Sequence, residues 1–187
     1  MQINKNDIII EKDIIKHWQS FLDAIAKKLG VPVALIMKID IPNIKVLLAN
    51  KSAANPYEVG ESCHLLDSGL YCEEVYKTKK ELLIPNALND KKWDKNPDIK
   101  LNMISYLGFP LLWPDGEVFG TTCVLDVKEN EYSVKYKNIL MQFKKYVEAY
   151  LDLAIAKHLR KSKEEIAEKD LLCDSMFLAV ENMVRGK

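Results

Sequence analysis

Glycine is scarce in this chain, at 7 of 187 residues, and the seven are scattered, so no glycine-rich loop is available to cradle a phosphate. Histidine is scarcer. His17, His64 and His158 stand far apart, and Cys63, Cys72, Cys123 and Cys173 contain no Cys-x-x-Cys pair, so zinc-site spacing is missing. Excess charge is absent as well, because 27 Lys and Arg balance 27 Asp and Glu. A neutral chain has no global field that recruits a polyanion. The basic runs at Lys77–Lys80 and Lys157–Lys161 lack the interleaved aromatics of a nucleic-acid binder and read as solvated helix ends. No apolar run approaches the ~20 residues that span a bilayer. The stretch Met1–Lys16 is polar and mixed in charge apart from Ile8-Ile9-Ile10, unlike a signal peptide. These absences exclude nucleic-acid and membrane partners from the reading and place the chain in the cytoplasm, where thiols stay reduced.

What is present is an ordinary globular composition and a length suited to one domain with an appendage. Trp18, Phe21, Leu22, Ile25 and Leu29 recur at three- and four-residue steps, which predicts a helix over Ile14–Leu29, closed by Gly30 and Pro32. Val33–Asp40 and Ile44–Ala49 read as paired strands around Ile41-Pro42-Asn43. Asn50–Ser62 reads as a loop, Leu70–Thr78 as a helix and Leu82–Ile84 as a brief strand. Asn86–Asn102 reads as a loop with a turn of helix, and Met103–Trp113 and Glu117–Val127 as a hairpin about Pro114-Asp115-Gly116.

Tyr132–Arg160 predicts a long helix. Beyond Lys161, Leu159, Ile166, Cys173 and Val180 recur by sevens with Met176 and Met183 between them, a short heptad seam out of register with the first series. The helix is therefore expected to kink or shift phase near Lys161. The seam suits a homodimer formed through the terminal helices; the alternative is a helix folded back on its own domain. The expected organisation is a domain over 1–160 and a C-terminal signalling or coiled-coil helix over 161–187. The fold class is α+β: an antiparallel sheet with flanking N- and C-terminal helices, one sheet face left to the middle loops and a cavity between them.

Four segments carry a family resemblance. Leu70-Tyr71-Cys72-Glu73-Glu74-Val75, Leu82-Leu83-Ile84-Pro85-Asn86-Ala87, Tyr106-Leu107-Gly108-Phe109-Pro110-Leu111 and Trp113-Pro114-Asp115-Gly116-Glu117-Val118-Phe119-Gly120-Thr121-Thr122-Cys123-Val124-Leu125-Asp126 together resemble GAF sensor domains. The similarity is greatest to the modules found beside histidine kinases and diguanylate cyclases. It covers about Ile14–Arg160, and implies a GAF/PAS-like fold with a pocket roofed by Tyr71–Trp93. It also implies a small-molecule ligand, no chemistry in the domain itself, and a kinase or cyclase as output partner.

The candidate ligand-binding residues are Tyr71, Cys72, Trp93, Tyr106, Thr121 and Cys123. The aromatics suit a planar or apolar ligand, with core packing as the alternative. Trp93, in the polar stretch Lys92-Trp93-Asp94-Lys95, is expected to cap the cavity. Cys72 and Cys123 are either pocket thiols or small buried side chains. His64 is a candidate haem ligand or a solvated loop residue. Asp94, Asp98 and Asp126 read as turn or capping residues. A GAF-like family that reduces free methionine sulfoxide uses a cysteine near the position of Cys72. Its second thiol falls here near Ile99, and its acidic positions fall at Cys123, Leu125 and Tyr106, so the acids that would bind and protonate the sulfoxide are missing. The sequence thus predicts a signal-transducing sensor that is not an enzyme, with its cofactor unspecified. A Cys72-based thiol enzyme or redox sensor and a ligand-free dimerisation module are the alternatives.

Overall fold

The apolar stripe on the first helix is buried except at Phe21, which lies at its edge. Helix α1 (Lys12–Leu29) buries Trp18, Leu22, Ile25, Ala26 and Leu29, while Phe21 stays exposed. Leu22, Ile25 and Leu29 each contribute roughly 1.5–3 kcal/mol by leaving water. Gly30 ends the helix in the left-handed region at φ 68°, donating its N–H to the Ala26 carbonyl. The computed structural model describes the backbone of residues 4–184, and side chains through residue 164 except residue 6.

Strands β1 (Val33–Asp40) and β2 (Asn43–Ala49) form one antiparallel hairpin. Strands β5 (Ser105–Leu112) and β6 (Val118–Asp126) form another. β6 pairs with β1, which joins the hairpins, and two short strands, β3 (Ser62–His64) and β4 (Leu82–Ile84), complete the edges. The result is a six-stranded antiparallel sheet in the order β3-β2-β1-β6-β5-β4. β3 departs from the sequence expectation, which ran a loop to Ser62 and on toward the next helix. Its three residues are all exposed and show no alternation, and it exists through pairing of His64 with Asn43 and Cys63 with Ile44.

Side chains alternate across the sheet. Leu35, Met37, Ile44, Val46, Tyr106, Cys123 and Leu125 share one face and pack with Tyr71 and Val75 of helix α2 (Tyr71–Thr78). Ala34, Ile36, Leu107, Phe109, Leu111 and Val124 alternate with them and are buried on the other face. α1 lies against β1 and β2, and the last helix, α3 (Val134–Val184), meets α1 through aromatic side chains. Trp18 packs edge-on to Tyr150 at 5.9 Å, and Phe21 lies 5.9 Å from Phe143 and 5.1 Å from Tyr146.

The sheet, α1, α2 and α3 through Leu151 belong to one compact unit, Ile10–Leu151. A second unit draws on the two ends of the chain; its described part is the 3-10 turn Lys5–Asp7 and α3 from Asp152 onward. The helical backbone of α3 is continuous through Lys161. The heptad side chains Ile166, Cys173, Met176, Val180 and Met183 lie outside the described residues.

Candidate ligand-binding cavity

Between the sheet and the middle loops lies a cavity of about 340 Å³, within the range that small-molecule sites occupy. Its floor is the alternating face of the sheet: Leu35 and Met37 from β1, Ile44 and Val46 from β2, Tyr106 from β5, Cys123 and Leu125 from β6. Its walls come from outside regular strands. Leu70 and Cys72 stand at the start of α2, Tyr57 and Glu61 lie in the loop after β2, and Pro97, Asp98 and Leu101 belong to a 3-10 helix, Pro97–Leu101. Ser62 and Cys63 on β3 close the rim.

Two buried polar side chains hold those walls in place. Glu73 bends the chain into α2: its carboxylate accepts from the N–H groups of Asp67 and Gly69 and from the Ser68 hydroxyl, and pairs with Lys77 at 2.7 Å. Burial alone would raise its pKa, but the Lys77 ammonium and the Gly69 and Asp67 amides outweigh that and hold it below the usual carboxylate value. Asn96 caps the 3-10 helix by accepting from the Asp98 N–H at 2.9 Å, and its amide donates to the Gly69 carbonyl at 2.7 Å. The wall carrying Asp98 is thereby tied to the start of the wall carrying Cys72.

The floor is polar at one spot. The Thr121 hydroxyl donates to Cys72 Sγ at 3.3 Å, and the Tyr106 hydroxyl lies 3.5 Å from the same sulfur. The thiols of Cys72 and Cys123 are near enough to shift each other's ionisation, and Tyr106 acts on Cys123 as well. Tyr106 can reach both because its ring folds back over Gly108, where any Cβ would overlap the tyrosine ring and hydroxyl. The neighbouring Cys123 thiol, with the hydroxyls of Thr121 and Tyr106, brings the Cys72 thiol below its ordinary value against the opposing effect of burial. Cys123 goes well above its own because the neighbouring Cys72 and burial both favour its protonated form.

A second polar spot sits on the 3-10 wall. Tyr57 donates its hydroxyl to Asp98 Oδ1 at 2.9 Å. Burial raises Asp98 from 3.8 to about 6, and the tyrosine bond offsets only part of that. Burial, and then the charge of Asp98, keep Tyr57 protonated far beyond neutral pH. Among the described residues lining the cavity there is no Lys, Arg or His, while Asp98 and Glu61 supply carboxylates. Among the described residues, no cluster of three or more His, Cys, Asp and Glu is arranged to hold a metal ion.

Of the residues marked from sequence, Cys72, Tyr106 and Cys123 line the cavity, and Thr121 joins them through its bond to Cys72. Tyr71 and Trp93 form a second row behind: Tyr71 stacks on Tyr106 at 4.8 Å, and Trp93 meets Tyr71 at a tilt, with ring centres 5.3 Å apart. Trp93 is only 6% exposed and belongs to the core, with the Lys92 ammonium 4.9 Å from its ring centre. His64 is exposed on β3 and is not among the lining residues. Sequence reasoning did not single out Tyr57, Glu61 or Cys63 for the site, and it assigned Asp98 to a turn. The one local signal was Asn96-Pro97, a cap followed by proline at the first helical position, which fixes where Asp98 must sit.

The GAF domain family matches this chain over residues 18–151. Among solved structures, the GAF domain of an Acinetobacter phosphoenolpyruvate-protein phosphotransferase is similar, with a TM-score of 0.59 and 18% identity, over 85% of this chain and 90% of that one. The phycocyanobilin-bound GAF domain of a cyanobacterial phytochrome has a TM-score of 0.65 at 11% identity, over 84% of this chain and 99% of that one. A domain of a methyl-accepting chemotaxis protein has a TM-score of 0.61 at 15% identity, over 82% of this chain and 94% of that one. At such identities the likeness carries the fold. No curated protein matches the chain.

Proposed function

The chain belongs to the GAF domain family, and from that premise we propose that it is a sensory module whose cavity binds an uncharged or cationic small molecule with an apolar body. The observation that supports this ligand class is the lining: apolar floor, two carboxylates and, among the described residues, no basic group. An anionic ligand would enter a site with no counter-charge beside an Asp98 already destabilised by burial. A protonated amine would instead supply a counter-charge to Asp98, which the lining residues do not.

Occupancy would act through the walls, because the ligand touches α2 and the Pro97–Leu101 turn as well as the sheet. A ligand that prefers one arrangement of those walls biases the packing of the terminal helices in a homodimer, and the helix over 161–187 carries the bias to a kinase- or cyclase-type partner in the cytoplasm. The role proposed is binding without turnover.

Native mass spectrometry and a visible absorption spectrum of the freshly purified protein come first, since a retained ligand identifies itself by mass or colour. A matched set of an arylalkylamine, its alcohol and its carboxylate then tests the class by calorimetry. The amine is expected to bind tightest and the carboxylate weakest. Tightest binding by the carboxylate would overturn the ligand class. Failure of all three, with no retained mass, would favour a ligand-free dimerisation module.

A further inference from the structure

We infer that Cys72 and Cys123 form a reversible dithiol oxidation site in the floor of the cavity, with a hydroperoxide as oxidant and an intramolecular disulfide as product. The site needs no bound ligand, so the inference goes beyond the sensory reading and stands or falls separately from it. It rests on the meeting of two elements. The first turn of α2 brings Cys72 onto β6, where Cys123 stands two residues from Thr121 on the same face of the strand. Both cysteines line the same cavity; Thr121, on the Cys123 face of β6, donates its hydroxyl to the Cys72 sulfur at 3.3 Å, and the Tyr106 hydroxyl lies 3.5 Å from that sulfur.

The surroundings give the two thiols different roles. Cys72 takes donated hydrogen bonds and sits at the N-terminal turn of α2, where peptide N–H groups favour an anion. It is partly exposed and lines the cavity, so an oxidant can reach it. Cys123 is 0% exposed and keeps its proton, so its reaction partner is Cys72. Cys63 serves as an internal comparison. It is exposed, yet burial of its sulfur and the charge of Asp98 raise its thiol pKa, which makes it the poorer nucleophile.

In the first step the Cys72 thiolate attacks a peroxide oxygen. The O–O bond breaks, the departing alkoxide or hydroxide takes up a proton, and Cys72 becomes a sulfenic acid. In the second, the Cys123 sulfur attacks the sulfenyl sulfur. The S–S bond forms as the S–O bond breaks, and the hydroxide leaves with the Cys123 proton as water. Two electrons pass from the thiols to the peroxide, giving one disulfide, one alcohol or water, and one further water. An external thiol reverses the product by exchange.

The test uses the full chain, reduced and desalted, then titrated with hydrogen peroxide and quenched in denaturant with iodoacetamide. Peptide mapping with fragment-ion assignment separates Cys63 from Cys72, which share a tryptic peptide. The expected result is joint loss of Cys72 and Cys123 from the alkylated pool, a Cys72–Cys123 linked peptide, and later loss of Cys63 despite its exposure; dithiothreitol restores both thiols. Oxidation of Cys63 or Cys173 before Cys72, or over-oxidised Cys72 beside intact Cys123, would overturn the assignment. In C123S, dimedone is expected to trap a Cys72 sulfenic acid, and absence of that adduct counts against Cys72 as the attacking thiol. Should C123S fail to fold, the wild-type map decides alone.

Discussion

Asp98 stands where burial and hydrogen bonding oppose each other. Its carboxylate is desolvated on an apolar wall, and one tyrosine hydroxyl leaves its pKa at about 6 instead of 3.8. The sign of the consequence follows directly. A carboxyl whose folded pKa lies above its unfolded value favours the fold when protonated, so its contribution weakens as pH rises from about 3.8 to 6 and is a cost above that. A shift of this size corresponds to about 1–3 kcal/mol. Asp98→Asn, which keeps an acceptor for Tyr57 and removes the charge, is therefore expected to stabilise the free protein at pH 8 by up to that amount and much less at pH 5. Urea unfolding at the two pH values checks it, and a variant less stable than the parent at pH 8 would refute the burial argument. The same substitution should weaken arylalkylamine binding while sparing the alcohol.

At the scale of elements, α2 depends on a carboxylate inside it. Glu73 is 5% exposed and satisfies the amides of Asp67 and Gly69, both in left-handed conformations, so the turn into the helix is held by the helix itself. Glu73→Gln removes a charged acceptor and leaves amides under-satisfied, with an expected cost of about 1–3 kcal/mol at pH 7. Because the folded pKa is depressed, that stabilisation is present above the unfolded carboxylate value of 4.5 and is lost as pH falls through the folded one. Thermal unfolding of parent and variant should thus converge in acid; a gap that persists there would point to packing instead. α2 itself was legible in the sequence, as were α1, both hairpins and the order of elements, because each buries one face and so writes a period of 3.6 or 2 into its residues. The cavity wall was not. Tyr57 and Asp98 are 41 positions apart and lie in polar stretches, and their bond exists only once β3 and the 3-10 helix are in place. β3 carries no pattern of its own, so nothing local announced the rim formed by Ser62 and Cys63. Cys72, Tyr106 and Cys123 could be marked because they fall in the segments that resemble the family, around which a pocket was expected.

At the scale of the whole molecule, the sensory reading needs a route out of the cavity, and the outer aromatic surface supplies a candidate. Phe21 is 47% exposed and Tyr146 38% exposed although their rings touch at a tilt, and both belong to the unit Ile10–Leu151. Their inner neighbours on the same helices, Trp18, Leu22, Phe143 and Val147, already fill the core, so the outward rings add apolar surface that the isolated unit does not use. A second copy of this chain, meeting it across a two-fold axis, would cover the rings with their own equivalents. The double variant Phe21→Glu, Tyr146→Glu is expected to convert the dimer to a folded monomer, seen as a halved mass in light scattering with an unchanged circular dichroism spectrum. A dimer that survives both charges would remove this surface from the interface and leave the heptad positions beyond Lys161 to carry it. A parent protein that is itself a monomer at micromolar concentration would sink the dimer, and with it the proposed coupling, because a ligand cannot bias a helix packing that the molecule does not form.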